Sequence, residues 1–363
     1  MARETKRALR RGWSTGACAA AASRAAYAAL LTGDFPDPVS ITLPGGLEPQ
    51  FPLAVKELGA AMARAGIVKD AGDDPDVTHG ALVIAEVSQA DEGTGVAFRA
   101  GEGVGTVTRP GLPLAVGEPA INPAPRALIG EALAAVARAC GKPQADAIVT
   151  LSIPGGAALA AKTLNARLGI LGGLSILGTT GIVIPYSCSA WIHSIHRGID
   201  VARAAGTLHI AASTGTTSEK AVQQLCNLPE LALIDMGDFV GGTLKYLRRH
   251  PVPRLTLAGG FGKFAKLAQG HLDLHSSRSR FDSGALARRL DALGAPAALV
   301  ARAAEAESAG AILDAAAADF ALPLAASIAR EARAVALASL AGGIAVDVAI
   351  FGRRGELLAH EGA

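Results

Sequence analysis

From residue 144 onward, the sequence repeats one order of segments: an apolar run, a glycine-rich turn and a helix-forming stretch. The apolar runs with their turns are AIVTLSIPGG, LSILGTTGIVIP, TLHIAASTG, LALIDMGDFVGG and RLTLAGGFG. Continuous apolar runs that alternate with helices are typical of a parallel sheet covered on both faces. In such sheets ligands bind at the carboxyl ends of the strands, where these turns would cluster.

The N-terminal part of the chain has a different pattern. Short β-branched or alternating runs punctuated by proline and glycine occur at 39–43, 51–55, 80–87 and 95–100, before a helix at 124–140. The pattern changes at the GKP of residues 141–143. We therefore expect an α/β protein of two domains, which 363 residues can supply with separate cores. The predicted domains are an α+β domain at 1–143 and a Rossmann-like, mostly parallel three-layer domain at 144–363.

The two termini predict scaffold elements. Alanine-rich helices near the C-terminus precede an alternating run from Ile344 to Ile350 and a GRRGE turn, which together predict a β-hairpin. The N-terminal basic and alanine-rich segment imitates an export signal, but Ser23 and Arg24 interrupt it. A helix capped at Ser14 or Thr15 fits it better.

The composition limits the expected cellular location and the expected binding partners. A net charge of +2 and an aromatic content of 4% predict neither a polybasic surface nor a base-stacking platform, so we expect no nucleic-acid partner. No run reaches the roughly 20 apolar residues of a membrane span, so a cytoplasmic protein without a membrane partner is expected. The four cysteines form no CxxC motif, which predicts reduced, mostly buried thiols.

The loop GIVKDAGDDPDVTHG, at 66–80, concentrates carboxylates. Counted from Asp70, the third position is Gly72 and the sixth is Pro75, so an EF-hand is excluded. A zinc site is not favoured either, because His79 is the only nitrogen ligand nearby. Carboxylates that cap amides, pair with Lys69 or face a ligand all remain open.

Two glycine-rich segments predict close backbone approach to a ligand. GEGVGTVTRPG, at 101–111, spaces Gly101, Gly103 and Gly105 as GxGxG, but Pro110 prevents the helix that a dinucleotide site needs. A glycine-lined wall for a flat ligand suits it better. AASTGTTSEKA, at 211–221, begins a helix near Ser218, where anions are favoured, without the GK[ST] of a P-loop.

The stretch at 258–282 is rich in cations that follow a strand-end GGFG. A solvated helix face would explain them, yet their place after a strand directs them to the ligand edge of the sheet. Arginine's planar fork suits carboxylates, so a polycarboxylate substrate would fit. A nucleophilic hydrolase finds no support, because the chain has no G-x-S-x-G elbow.

Several of these segments, taken in order, resemble one family. The matching motifs are RGWSTGACAAAA, LPGG, VKDAGDDPDVTHGA, GEGVGTVTRPGLPLAVGEPAINPAPR, GGLSILGTTGIVIPYS, STG with SE, MGDFVGG and GGFGKFAKLAQG with LHS. They span residues 11–276 and resemble the cobalt-precorrin-5B C1-methyltransferase family of the anaerobic branch of cobalamin biosynthesis. The resemblance implies methyl transfer from S-adenosylmethionine to carbon C1 of a cobalt-containing tetrapyrrole, giving cobalt-precorrin-6A.

In the implied reaction the macrocycle attacks the methyl group directly, so the protein mainly orients two ligands. The cobalt arrives within the substrate, and no protein metal site is expected. The predicted cofactor-binding residues are Asp70, Asp73, Asp74, Gly101, Gly103, Gly105, Thr214 and Gly215. The predicted substrate-binding residues are Arg109, Lys263, Lys266, His275 and Arg278. His79 is the candidate acid or base, with a structural histidine as the alternative.

The sequence leaves several alternatives open. The aspartates could organise their loop through Lys69 and backbone amides instead of contacting the cofactor. Within the class, the substrate could be a metal-free precorrin. An NAD(P)-dependent tetrapyrrole reductase is disfavoured by the missing strand–GxGxxG–helix unit. A tetrapyrrole carrier would need no methyl-donor site. The oligomeric state is open, with a homo-oligomer among the options.

Overall fold

The computed structural model describes residues 9–316 and 318–362 and divides the chain into two compact units, Met1–Ser187 and Cys188–Ala363. We call them unit 1 and unit 2. Both mix helices with strands, so the predicted α/β class is confirmed. No helix among the described residues has the length and apolarity to cross a bilayer.

Unit 1 contains eleven strands and three helices within its described residues. In chain order they are β1 (Gly12–Trp13), α1 (Thr15–Thr32), β2 (Val39–Ser40), β3 (Gln50–Phe51), β4 (Val55–Leu58), β5 (Met62–Val68), β6 (Leu82–Gln89), β7 (Val96–Ala100), β8 (Thr106–Val107), α2 (Pro123–Ala139), β9 (Ala147–Ser152), α3 (Gly156–Ala160), β10 (Ile170–Leu171) and β11 (Ile182–Val183).

The main sheet of unit 1 has the order β4-β5-β6-β9-β7, antiparallel except for the parallel pair β7–β9. Helix α1 packs on β5, β6 and α2. Its face of small side chains, from Ala17 to Ala26, is buried and allows close approach to the sheet. The Ser14 hydroxyl accepts from the Ala17 N–H at 3.1 Å, so the predicted cap at Ser14 is confirmed.

Unit 2 begins with α4 and alternates strands with helices. Its elements are α4 (Cys188–Ala204), β12 (His209–Ser213), α5 (Thr216–Cys226), β13 (Leu233–Asp235), α6 (Val240–Arg249), β14 (Arg254–Gly260), α7 (Phe261–Ala268), α8 (Ser283–Ala292), α9 (Ala297–Ala304), α10 (Ala309–Ala315), α11 (Ala318–Leu340), β15 (Ala345–Phe351) and β16 (Leu357–Glu361), with a 3₁₀ turn at Glu230–Ala232.

The sheet of unit 2 has the order β13-β12-β14-β15-β16, parallel except for the β15–β16 hairpin. One face packs against α5, and its small core includes Ala211 and Val222. The larger core lies on the other face, where α6, α7 and α11 contribute side chains. The expected parallel sheet and terminal hairpin are therefore present, although β15 is also a full strand of the parallel sheet.

Two of the five predicted strand segments do not join that sheet. AIVTLS forms β9, which pairs with β6 and β7 in unit 1. LSILGTTGIVIP is mostly irregular and contributes only β11, paired with β1. As a result, the structure divides the chain after Ser187, not at 143. An isolated apolar run does not reveal which sheet it will join, because that is decided by distant partners.

All four cysteines are free, but only Cys18 is buried. Cys140 is exposed and the other two are partly exposed, so the expectation of mostly buried thiols is wrong. Cys140 lies at the end of α2, where a helix terminus meets solvent.

Candidate functional site

The acidic loop of unit 1 is built around a buried lysine. Lys69 is 1% exposed, and its Nζ donates to Asp76 and to the Thr78 hydroxyl, the latter at 2.6 Å. Asp76 also accepts from the Thr78 N–H at 2.8 Å. Burial raises the pKa of Asp76, but the Lys69 charge and these hydrogen bonds outweigh it, so the pKa lies below its usual value. The ion pair of Lys69 and Asp76 therefore links two parts of the loop in its buried interior.

Asp70 fastens the loop to the N-terminal segment. Both of its oxygens accept from the Arg10 guanidinium, and Oδ1 also accepts from the Gly72 N–H at 2.9 Å. The hydrogen bonds from Arg10 and from the Gly72 amide lower the pKa of Asp70 to about 2. The carboxylate is therefore ionised and already holds a cation from its own chain.

Asp73 and Asp74 also have partners within unit 1. Asp73 Oδ2 accepts from the Arg10 N–H at 2.6 Å, while the Asp73 N–H donates to the Arg10 carbonyl at 2.9 Å. Asp74 Oδ1 accepts from the N–H of Tyr186 at 2.8 Å. The contacts of all four aspartates thus match the alternative in which they organise the loop.

The hydrogen bonding of His79 defines what its ring can do. His79 Nδ1 accepts from the Ala71 N–H at 3.1 Å, so the neutral ring carries its proton on Nε2. The side chain is 54% exposed. In this state it can donate from Nε2, whereas accepting a proton at Nδ1 would break the bond to Ala71. The geometry suits a hydrogen-bond donor, because both the acid and the base roles need a protonated Nδ1 or a free Nε2 lone pair.

The GxGxG glycines pack closely against neighbouring backbone and side-chain atoms. A Cβ on Gly101 would lie 2.1 Å from the Ser152 hydroxyl, and one on Gly103 would lie 2.0 Å from the Ile153 carbonyl oxygen. A Cβ on Gly105 would lie 2.5 Å from Ile170. These glycines are required by the close approach of loops within unit 1, which explains them without a ligand.

Arg109 differs from the other candidate cations. It is exposed, and its side chain lies across Gly169, where an added Cβ would come within 2.7 Å of it. No hydrogen bond or ion pair of Arg109 occurs among the residues that the structure describes. The neighbouring ribbon of β8 and β10 also exposes the side chain of Leu171, which is 53% accessible.

In unit 2, Thr214 and Gly215 lie between the end of β12 and the start of α5. The Thr214 N–H donates to the Ala258 carbonyl at 2.9 Å, and the Lys263 ammonium donates to the Thr214 carbonyl at 2.9 Å. Lys263 also pairs with Asp238 at 3.1 Å. Both cofactor candidates of this unit therefore lie at the carboxyl edge of the parallel sheet, as expected.

The edge also contains candidates that the sequence did not reveal. Gly260, at the end of β14, faces open space, since an added Cβ would meet no atom within 4 Å. The Ser213 hydroxyl at the end of β12 is buried and has no hydrogen-bond partner within the described residues. Serine is common at the ends of strands. In the sequence, the position of Ser213 next to a glycine-rich turn was therefore the one feature that could have identified it as a site residue.

The remaining cations stabilise the segment after α7. Lys266 Nζ donates to the Leu274 carbonyl at 2.9 Å, and Arg278 donates to Asp273 at 2.7 Å and to the Cys188 thiol at 2.9 Å. His275 Nδ1 lies 2.8 Å from the Ser277 hydroxyl. Lys263, Lys266 and Arg278 thus have partners within unit 2, while His275 Nε2 has no hydrogen bond to any residue that the structure describes.

Across residues 9–316 and 318–362, no group of three or more histidine, cysteine or acidic side chains is arranged to hold a metal ion. The donor groups described above are those that bind organic cations, hydroxyls and carboxylates.

Comparison with known proteins places these two units in one family. A family model described as CbiD matches residues 2–185, and one described as CbiD, C-terminal domain matches residues 273–362. A cobalt-precorrin-5B C(1)-methyltransferase of Paramagnetospirillum magneticum is 60% identical over 97% of this chain and 98% of its own length. One of Brucella abortus is 57% identical over 98% and 96%. The crystal structure of a cobalamin biosynthesis protein (cbiD) from Archaeoglobus fulgidus is 28% identical, with 70% of this chain and 78% of that chain covered and a TM-score of 0.40. This chain belongs to the CbiD family.

Proposed function

We propose that this protein transfers a methyl group from S-adenosylmethionine to carbon C1 of cobalt-precorrin-5B. The observation that carries the proposal is 57–60% identity, over nearly the whole chain, to proteins named for that reaction. The donor supplies an electrophilic methyl group, and its sulfonium becomes a neutral thioether when the carbon–sulfur bond breaks. The side chains therefore have to bind and orient the two molecules, and no protein nucleophile is needed.

The carboxyl edge of the unit 2 sheet supports a donor site. Gly215 borders open space there, and Asp238 provides a carboxylate near Thr214, because the Lys263 ammonium contacts both. A carboxylate near a ligand's ammonium or ribose hydroxyls is favourable. These residues fit the polar groups of S-adenosylmethionine.

Arg109 and Leu171 support a contact with the tetrapyrrole. The macrocycle is apolar on its faces and carries carboxylates at its rim. Leu171 is an exposed leucine on the ribbon of β8 and β10, and Arg109, two residues after β8, has no partner in the described chain; together they match both properties. His79 contributes, on this proposal, as a hydrogen-bond donor through Nε2.

A labelling experiment tests the function. The protein is incubated with S-adenosylmethionine carrying a ¹³C-methyl group and with cobalt-precorrin-5B, and the product is analysed by mass spectrometry and NMR. We expect one labelled methyl group on C1. A parallel reaction with the metal-free precorrin decides between the two substrates. If the Paramagnetospirillum magneticum relative transfers the label under the same conditions and this protein does not, the proposal is wrong.

A further inference from the structure

In the unit 2 sheet the strand order reverses between β12 and β14, so the connections on the two sides of this position run in opposite directions along the sheet. β12 leads through α5 to β13 on one side, and β13 leads through α6 to β14 on the other side of β12. Open α/β sheets bind ligands outside the carboxyl ends of the strands at such a point. The space outside these two strand ends is therefore where a ligand of unit 2 is expected.

Two glycines show that this space is open. A Cβ added to Gly215 or to Gly260 would meet no atom within 4 Å. The contrast with Gly259 is direct, because a Cβ there would lie 2.6 Å from the Thr214 hydroxyl. Open space is therefore present at Gly215, two residues after β12, and at Gly260, the last residue of β14.

The amino end of α5 presents donors to solvent. Its N-cap residue, Gly215, has no side chain to cap the helix, and the Ser218 hydroxyl donates to the Gly215 carbonyl at 2.8 Å instead of accepting from an amide. Within the described chain, the N–H groups of Thr216 and Thr217 have no acceptor. Free amides at the start of an eleven-residue helix attract an anion.

Ser213 provides a second, independent observation, because it has a buried hydroxyl without a hydrogen-bond partner in the described residues. The residue is 1% exposed. Side chains alternate along β12, so Ser213 shares a face with Ala211, which packs in one cluster with Val222 of α5. The hydroxyl thus points to the side of the sheet that α5 covers, two residues before the helix begins. A buried hydroxyl without a partner is costly, and a bound anion would satisfy it.

The charges nearby limit which anion fits. Asp238 shares the Lys263 ammonium with the Thr214 carbonyl, and Glu219, in the first turn of α5, is 8% exposed. A dianionic phosphate would bring two negative charges to a place where Lys263 already has Asp238 as its counter-charge, so a single carboxylate fits better. A group that carries a carboxylate and an ammonium side by side would place its anion at the helix end and its cation near Asp238.

From these observations, we propose that the amino end of α5 and the Ser213 hydroxyl bind the α-carboxylate of an α-amino acid group. The inference rests on the proposed function, in which that group is the methionine part of S-adenosylmethionine. The ammonium of the same group faces Asp238. This assignment deepens the donor site by naming which end of the donor unit 2 recognises and through which atoms.

The first test compares two donors by isothermal titration calorimetry of the full chain. Decarboxylated S-adenosylmethionine lacks only the carboxylate, and we expect it to bind about tenfold more weakly than S-adenosylmethionine. Ser213→Ala should weaken S-adenosylmethionine about tenfold and leave the decarboxylated ligand unchanged. Ser23→Ala is the matched control, because Ser23 also has a buried hydroxyl without a partner in the described chain, on α1 of unit 1.

The second test fills the open space. Gly260 has φ −78°, so alanine fits its backbone, and Gly260→Ala should weaken S-adenosylmethionine about tenfold without lowering the melting temperature. Gly130→Ala, within α2, adds a methyl group that also meets nothing within 4 Å and should leave binding unchanged. Thermal unfolding of each variant separates a binding loss from a folding loss.

The outcomes are distinguishable. If S-adenosylmethionine binds the wild-type protein but Ser213→Ala and Gly260→Ala bind it equally well, the subsite is wrong and the proposed function stands. Displacement of S-adenosylmethionine by inorganic phosphate more readily than by methionine would also overturn the carboxylate assignment. If the wild-type protein binds no S-adenosylmethionine, the inference and the proposed function fail together.

Discussion

The acidic loop of unit 1 and the carboxyl edge of the unit 2 sheet show two opposite relations between charge and ligand binding. The loop carries four aspartates, and each one already accepts hydrogen bonds from its own unit. The edge presents few charges, yet it contains open space, uncapped amides and a buried hydroxyl that has no partner among the residues the structure describes. A dense cluster of charges in a sequence therefore does not reveal whether those charges are still available.

The glycines of the two regions repeat the contrast. Gly103 in unit 1 fills a place where backbone meets backbone, whereas Gly215 and Gly260 in unit 2 border open space. Both sets lie in glycine-rich turns and look equivalent in the sequence. The five predictions below test this difference between occupied and available groups.

The largest effect is expected for Gly103→Ala. The residue has φ +72°, and the new Cβ would lie 2.0 Å from the Ile153 carbonyl oxygen, so we expect a loss of at least about 3 kcal/mol in the free energy of unfolding. Gly155→Ala is the control, since Gly155 has φ +73° but no atom within 4 Å of the added Cβ. Urea unfolding measures both, and equal losses would show that loop packing is not what requires Gly103.

Lys69→Met is expected to lower the free energy of unfolding nearly as much as Gly103→Ala. The Lys69 substitution leaves Asp76 partly buried without its cation, which typically costs about 3 kcal/mol. Lys56→Met removes the exposed pair with Asp37 and should cost much less. Both are measured by urea unfolding at neutral pH. A Lys69→Met protein as stable as wild type would show that the loop does not depend on its internal ion pair.

Arg109→Ala tests the cation that has no partner in the described residues. If Arg109 binds a rim carboxylate of the tetrapyrrole, the variant should raise the KM for that substrate about tenfold and leave stability unchanged. Arg99→Ala is the control, because Arg99 is also exposed but lies on β7. Equal KM values for the two variants would remove Arg109 from the substrate site.

A smaller, pH-dependent effect is expected at Asp70. Its pKa falls from 3.8 to about 2 in the folded protein, so its contribution to stability is present above the unfolded value and is lost as the pH falls toward about 2. Asp70→Asn should therefore lose less stability than wild type between pH 5 and 2, a range of about three units around these values. Urea unfolding across this range provides the measurement, and parallel curves would contradict the bond to Arg10.

The smallest effect is expected for Asp73→Asn. Because Asp73 is engaged by the Arg10 backbone, the substitution should leave the KM for S-adenosylmethionine unchanged. A direct cofactor contact predicts the opposite, with the KM for S-adenosylmethionine rising more than that for the tetrapyrrole. The latter result would show that the acidic loop contacts the donor and would break the contrast between the two regions.

Local signals predicted much of the scaffold. The Ser14 cap, the strands of unit 2 from β12 to β14 and the β15–β16 hairpin follow from periodicity and turn residues. Strand β5 was not predicted, because its alanines and Gly66 have low strand propensity and are stabilised by packing under α1.

The state of the site residues could not be predicted in the same way. Whether Asp70 meets Arg10, or whether Ser213 lacks a partner, depends on residues that are distant in the sequence. Such pairings arise only when the whole unit folds, and the sequence contains no periodic signal for them.

The position of β15 has a consequence for synthesis on the ribosome. β14 lies between β12 and β15, and Arg254 on β14 pairs with Asp347 on β15, 93 residues later in the chain. The nascent protein therefore exposes one side of β14 to water and to other chains until residues 345–351 emerge from the exit tunnel.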